Sequence, residues 1–281
     1  MTSKEQTMRV RWLGWAGVEI EAGGASVVID PLGDPAATFA AFGDAARDVT
    51  LPTVVAPRVS GAAAAGLVTH LHRDHADAGA LAAALAPGAP LVGPPPAGGG
   101  DVENLGLAQA TVELAAAGLE LRAVDPWASV EAGPFRLTAL PAADGIGDPQ
   151  VSWLVEADGR RVLHLGDSLF HGWWWRMALR HGPFDVVFAP VNGALVEFPH
   201  RRPASPLPAV MDPEQAALAA ELLGARLVVP MHYGGYDVDP WYRPVRDAEE
   251  RFAEAAAGRP YEANVLEVGE QLKLEAAALP G

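Results

Sequence analysis

A chain of 281 residues, half of them apolar and one-fifth charged, is long enough to bury a full core, as one large domain or two smaller ones. Its formal charge of −15 argues against a surface built to hold phosphate backbones, which excludes nucleic acid as the expected partner. With no cysteine there is no disulfide, no thiolate nucleophile and no Cys-ligated zinc or iron–sulfur centre, so any metal must sit on His, Asp or Glu.

In chain order, the opening reads as paired strands at Met8–Leu13, Val18–Glu21 and Ser26–Asp30, with Gly14, Gly17, Gly23 and Gly24 at the turns and Pro31 closing the third. Short apolar runs predict further strands at Thr53–Ala56, Leu67–Thr69, Leu91–Val92, Phe135–Leu140, Val151–Glu156, Arg161–Leu165, Val186–Ala189 and Arg226–Pro230. Ala- and Leu-rich stretches predict helices at Ala76–Ala86, Ala108–Ala117, Trp173–Arg180, Pro213–Leu223 and Asp247–Ala257. The fourth has full punctuation: Asp212 as cap, Pro213 at the first position, Gln215 completing a capping box and Gly224 as the stop, with Leu218, Leu222 and Leu223 facing a core. The Pro- and Gly-rich span Pro87–Gly100 reads as a loop or a boundary between halves of the fold. Hairpins at both ends with helices between them predict sheets sandwiched between helices. The polar stretch Met1–Val10 lacks the apolar run of a signal peptide, and the longest uncharged run, Ala78–Gly100, is interrupted by prolines, so a cytoplasmic chain without a membrane span is expected.

The densest chemistry lies in Thr69-His70-Leu71-His72-Arg73-Asp74-His75, where three imidazoles and a carboxylate occupy six residues directly after a short apolar segment. Extended backbone places His70 and His72 on one side, able to grip one ion, while Asp74 and His75 beyond the turn can reach a second. Asp144, Asp167 and His232 share the same context, each just past the end of an apolar strand, and such loops can converge on one cleft.

The motif His70-x-His72-x-Asp74-His75, followed by Leu165-Gly166-Asp167-Ser168 and Val229-Pro230-Met231-His232-Tyr233, resembles the metallo-β-lactamase-fold hydrolases. Within them it is most similar to the branch that includes the L-ascorbate-6-phosphate lactonase. Trp12-Leu13-Gly14, Ile29-Asp30-Pro31, Phe184-Asp185-Val186, Pro190-Val191-Asn192-Gly193 and Val268-Gly269-Glu270 extend the resemblance along nearly the whole chain. It implies an α/β (α+β) fold, an αββα sandwich of the metallo-β-lactamase type spanning 1–281 as a single domain, with a one- or two-metal site at its edge. By the same resemblance His70 and His72 hold the first ion, Asp74, His75 and His232 hold the second, and Asp167 bridges the two.

Two positions depart from the family pattern. The third motif usually carries His after a Pro-Ala step, whereas Pro141-Ala142-Ala143 is followed by Asp144; near the N-terminus the branch often reads Gly-His, whereas this chain has Gly14-Trp15. If Asp144 binds, the formal charge of a two-ion, hydroxide-bridged cluster falls from about +1 to about zero, which weakens it as a Lewis acid. An added oxygen ligand also tilts the preference from Zn²⁺ toward Mn²⁺ or Fe²⁺.

Among other residues, His164 reads as structural or as supporting a ligand, and His171 as a donor to substrate or to a ligand carboxylate. Trp173, Trp174 and Trp175 read as a wedge holding a helix to the core. His200, Arg201 and Arg202 lie in a Pro-rich segment that reads first as a solvent-facing loop and alternatively as a lid whose Arg fork recognises an anion, and Tyr233 and Tyr236 can polarise a substrate carbonyl or simply pack. The expected activity is that of a metal-dependent hydrolase, in which a metal-bound hydroxide cleaves a small-molecule lactone or ester and Asp74 accepts the proton. Phosphodiester cleavage of a small phosphorylated metabolite, or a non-catalytic, metal-poor member of the fold, are the alternatives. One or two divalent ions are expected, Zn²⁺ or Mn²⁺ with Fe²⁺ as a further candidate, alongside a small-molecule substrate; a homo-oligomer is compatible with the sequence.

Overall fold

The computed structural model describes residues 7–40, 49–58, 60–100, 104–198 and 202–275. One seven-stranded sheet contains β1 (Thr7–Gly14), β2 (Gly17–Ala22), β3 (Ala25–Ile29), β4 (Ala65–Leu67), β5 (Leu91–Gly93) and β6 (Leu121–Ala123), and the late strand β16 (Gln271–Glu275) returns to pair with β1. The second sheet contains β7 (Ser129–Ala132), β8 (Phe135–Pro141), β9 (Val151–Ala157), β10 (Arg160–His164), β11 (Phe184–Pro190), β13 (Ala225–Met231) and β15 (Glu262–Ala263). A separate pair joins β12 (Leu195–Val196) to β14 (Tyr242–Arg243). The helices are α1 (Pro35–Phe39), α2 (Ala78–Ala84), α3 (Leu105–Ala116), α4 (Trp174–His181), α5 (Pro213–Leu223) and α6 (Ala248–Ala256).

Period-two alternation builds the layers. Along β9, Val151, Trp153 and Val155 enter a core shared with Val10, Ile20, Val27 and Ile29 of the facing sheet, while Leu154 turns to the opposite face beside Trp174, Ala220 and Phe252 of the helices. Val28 and Val68 pack on the other outer face with Leu81, Leu107 and Leu114 of α2 and α3. Both sheets are thus covered on both faces, giving α/β/β/α layers, and each fully buried large aliphatic contributes roughly 1.5–3 kcal/mol. The expected αββα sandwich is what the chain adopts.

Helix α5 has the expected start and stop: Asp212 accepts from Gln215 N at 2.8 Å in a capping box, and Gly224 closes the helix at φ +69°. Its buried face differs from expectation. Ala216, Ala217, Ala219, Ala220 and Leu223 are buried, whereas Leu218 is 40 % exposed, because the small alanines bring the helix close to the sheet and leave Leu218 on the outer side. Likewise only Trp174 of the three tryptophans is buried; Trp173 and Trp175 face outward.

Other boundaries also moved. Thr53–Ala56 is extended but joins no sheet, bonding to β1 through Val55 N and Leu13 O at 2.9 Å. The span Pro87–Gly100 contains β5, and the chain changes sheet after β6. Among the described residues no C-terminal hairpin forms, since β15 runs parallel to β13 while β16 crosses to the other sheet. No helix among the described residues is long and apolar enough to cross a membrane.

Candidate metal centre

The expected site residues leave the carboxyl ends of strands at one edge of the sandwich: the His70–His75 run after β4, Asp144 after β8, Asp167 after β10 and His232 after β13. Strands β10, β11 and β13 are parallel, and β8 is antiparallel to β9, itself antiparallel to β10, so their carboxyl ends coincide. Between Leu165 and Asp167, Gly166 (φ +61°) makes the turn; a Cβ there would lie 2.9 Å from Thr69 Cβ, so glycine permits the Asp167 loop to approach the histidine run.

Asp74, His75, Asp167 and His232 converge on one point. His75 Nε2 lies 3.2 Å from Asp167 Oδ1, 3.5 Å from Asp74 Oδ2 and 3.2 Å from His232 Nε2, and His232 Nε2 lies 3.1 Å from Asp167 Oδ1 and 3.4 Å from Asp74 Oδ2. Ligands bound to one ion at ~2.0–2.1 Å in a tetrahedron stand about 3.3–3.4 Å apart. The five separations bracket that edge length. Asp167 Oδ1, moreover, is buried without a hydrogen-bond partner, and an orphaned carboxylate oxygen facing two imidazoles fits a cation.

His70, His72 and Asp144 form the second group, their donor atoms within 4.8 Å of one another. His70 Nε2 lies 2.8 Å from His72 Nδ1, and His72 Nε2 lies 2.8 Å from Asp148 Oδ2. Asp144 Oδ2 accepts from Ile146 N at 2.7 Å and Asp148 N at 2.9 Å, an Asx-type turn that fixes its carboxylate.

A supporting layer sets the ring orientations. Asp30, at the end of β3, accepts from Thr69 N (2.8 Å) and Thr69 Oγ1 (2.5 Å) and faces His75 Nδ1 at 2.8 Å, directing Nε2 to the centre. Asn192 Nδ2 lies 2.9 Å from His232 Nδ1 and holds that ring with Nε2 toward the centre. Trp15 Nε1 donates to Asp74 Oδ2 at 2.9 Å. His164, read as structural or as supporting a ligand, bonds backbone: its Nε2 faces Ala16 O at 2.7 Å and its Nδ1 accepts from Gly166 N.

Electrostatics point the same way. Burial, with His75 and His72 as neighbours, holds His70 well below the ordinary imidazole range, in the neutral form a ligand requires. Burial opposes charge on His75 too, yet the Asp167, Asp74 and Asp30 carboxylates raise it well above that range. Burial raises Asp144 despite the attraction of His72. So many carboxylates in a buried space call for positive charge at the ring nitrogens, which a divalent ion supplies.

Four weaker candidates stand apart from the two groups of ligand candidates. His171 hydrogen-bonds none of the ligand candidates; its ring stacks on Trp174 at 3.7 Å, Nδ1 accepts from Trp173 N, and burial lowers its pKa to about 4. Tyr233 stacks on Trp12 at 5.7 Å, and Tyr236 donates to Pro35 O at 3.0 Å. Both line a cavity of about 530 Å³ with Asn192, but no ligand candidate lines it. Arg202 is exposed and bonds none of the described site residues; His200 and Arg201 lie outside the described residues. Sequence reasoning assigns no role to Asp30, Asp148, Asn192 or Trp15, which contact ligand candidates across long sequence separations; Asp30 and Asn192 stand in segments that extend the family resemblance and Trp15 at a break in its pattern, whereas Asp148 has no such signal.

Residues 26–233 match the family described as the beta-lactamase superfamily domain, and the chain belongs to the metallo-β-lactamase-fold metal-dependent hydrolases. Within that class it groups with the UPF0173 family: it is 30% identical over 276 residues to the UPF0173 metal-dependent hydrolase PH1671 of Pyrococcus horikoshii, covering 95% of this chain and 100% of that one. Among solved structures, Igni18, a metallo hydrolase from Ignicoccus hospitalis, superposes with a TM-score of 0.62 at 20% identity, covering 96% of this chain and 99% of that one. CmlA, a diiron β-hydroxylase from Streptomyces venezuelae, superposes at 0.69 and 18% identity, covering 98% of this chain and 55% of that one. At these identities the structural likenesses describe the fold alone.

Proposed function

We propose that the protein hydrolyses a small-molecule lactone or ester with two divalent ions held at the sheet edge. The observation that carries this reading is the cage formed by Asp74, His75, Asp167 and His232, whose donor atoms stand 3.1–3.5 Å apart with Asp167 Oδ1 otherwise unpaired. In the proposal His70, His72 and Asp144 hold the first ion, Asp74, His75 and His232 the second, and Asp167 lies between. Bound divalent ions would supply Lewis acidity toward the attacked carbonyl and make a water acidic near neutral pH.

The remaining steps belong to the chain. Asp30 and Asn192 keep the Nε2 atoms of His75 and His232 turned inward, so the cage is organised before substrate arrives. Asp74 makes its contacts with Trp15, His75 and His232 through Oδ2, leaving Oδ1 to take the proton of the attacking water. Lactone or ester cleavage is preferred over phosphodiester cleavage because the motifs resemble those of the lactonase branch; the charge of −15 disfavours polyanions but not a small phosphorylated metabolite.

The test pairs metal analysis with a substrate panel. Protein purified without chelator should contain up to two equivalents of transition metal and open lactones or simple aryl esters. Fewer than about half an equivalent, with no rise in thermal stability on adding Mn²⁺ or Zn²⁺, would overturn the hydrolase reading. Turnover of phosphodiesters in preference to lactones and esters would overturn the bond class alone.

A further inference from the structure

Asp144 stands where the family pattern has a histidine, and the five-residue loop it opens carries a second carboxylate, Asp148, bonded to a ligand of the same group. Resting on the two-ion reading above, we propose that this loop shifts the selectivity of the first site away from Zn²⁺ and toward Mn²⁺ or Fe²⁺. Asp144 acts by offering an oxygen in place of an imidazole nitrogen, and Asp148 is a positioning residue that acts through His72.

The geometry makes Asp144 a donor with one oxygen. Its Oδ2 already accepts two backbone N–H groups, at 2.7 and 2.9 Å, so Oδ1 is the coordinating atom. The shorter aspartate stem demands a backbone closer to the ion than histidine needs, and the loop is pinned there. Leu169 N donates to Ala143 O at 2.8 Å and Ala143 N to Ser168 Oγ at 3.2 Å, tying it to the Asp167 loop. Behind it, a Cβ on Gly145 would stand 2.0 Å from Ala209 O, so the backbones already touch and the loop has no room to retreat.

Asp148 decides which nitrogen of His72 is the ligand. With Oδ2 2.8 Å from Nε2, the proton resides on Nε2 as a donor, and Nδ1, 2.8 Å from His70 Nε2, offers its lone pair to the ion. Outer-shell carboxylates of this kind typically change metal affinity by about 10–100-fold. Two imidazoles and one carboxylate with open positions are a donor set suited to iron, and carboxylate oxygen suits manganese. Zn²⁺ binds most nitrogen and oxygen sites more tightly than Mn²⁺ in absolute terms, so the property at issue is the ratio of affinities.

The deciding experiment titrates chelator-stripped protein anaerobically with Zn²⁺ and with Mn²⁺, reading stoichiometry and Kd by calorimetry and metal analysis, for wild type, Asp144→His, Asp148→Asn and Asp148→Glu. In Asp144→His, one equivalent should gain at least about tenfold in its Zn²⁺-to-Mn²⁺ affinity ratio while the other stays unchanged. Asp148→Asn should weaken that same equivalent by about 10–100-fold for both ions, and Asp148→Glu should restore part of the loss. Asp144→Asn, which keeps an oxygen for the two N–H groups, should also weaken one equivalent and serves as the check on Asp144 where the histidine variant does not fold. An unchanged ratio in Asp144→His, or wild-type affinity for both equivalents in Asp148→Asn or Asp144→Asn, would overturn the proposal. Two tight equivalents in wild type with such a result would leave the hydrolase reading standing, whereas wild type that binds no ion would remove both.

Discussion

The indole Nε1 of Trp15 donates to Asp74 Oδ2 at 2.9 Å, while the ring centroid lies 4.0 Å from that of His232. A residue that binds no metal thus braces two ligand candidates from the β1–β2 turn, and its carbonyl also accepts from His232 N at 3.0 Å. Replacing Trp15 by Phe keeps an aromatic ring, removes the N–H and leaves a smaller side chain at a buried position. The expected result is a loss of about tenfold in affinity for one of two metal equivalents, within the range for supporting residues, with ~1–2 kcal/mol of stability lost. Calorimetric titration with denaturant unfolding measures both.

Asp30 carries a larger share. It is fully buried and accepts from both the backbone and the hydroxyl of Thr69 while facing His75 Nδ1 at 2.8 Å. Asp30→Asn puts an amide where acceptors are required and leaves donors facing donors. A fall of about 10–100-fold in metal affinity, together with a stability loss of roughly 3 kcal/mol or more, is expected. Metal content after gel filtration and urea unfolding of the metal-free protein separate the two effects.

Gly145 tests whether the first site depends on loop position. A Cβ there would meet Ala209 O at 2.0 Å and Ala209 C at 2.5 Å, both backbone atoms that cannot rotate away. Gly145→Ala should displace Asp144, lowering the metal stoichiometry by about one equivalent, and should cost on the order of 1–3 kcal/mol. Two retained equivalents would show that the loop tolerates the shift.

His171 predicts a pH effect. Burial lowers its pKa to about 4 in the folded protein, against about 6.5 in the unfolded chain. Above pH 6.5 the ring is neutral in both states and contributes no slope. As pH falls from about 6.5 toward 4 the unfolded chain takes up a proton that the folded state refuses, so stability declines. His171→Phe keeps the stacking on Trp174 and removes this contribution. Urea unfolding at pH 7 and pH 4.5 should show the variant losing less than wild type, by about 1–2 kcal/mol after allowance for partial solvent screening.

Much of the candidate centre was legible because its residues follow short apolar strands whose carboxyl ends share an edge, so His70, His72, Asp74, His75, Asp167 and His232 could be grouped from local sequence, their assignment to two ions coming from the family resemblance. The layered fold followed from short apolar strand segments such as β9, whose Val151, Trp153 and Val155 share one face. The supporting layer was not legible. Asp148 meets His72 across 76 residues and Asn192 meets His232 across 40; nothing local marks Asp148, and the motif around Asn192 carries the resemblance without showing which residue it would contact. Tyr233, next to His232, packs against Trp12 instead of joining the cage, the packing alternative that its sequence left open. Edge strands such as β16, with its polar Gln271-Leu272-Lys273-Leu274-Glu275, are short and partly exposed, so their pattern carries little hydrophobic signal.

The central claim, that two ions share these seven residues, is tested most directly by anomalous diffraction at the metal absorption edges from crystals of protein prepared without chelator. Two peaks about 3.5–4 Å apart are predicted. One should lie about 2.0–2.3 Å from donor atoms of His70, His72 and Asp144, and the other at that distance from Asp74, His75 and His232, with Asp167 between them. No peak at the sheet edge, or a single peak with Asp144 turned away from it, would contradict the account.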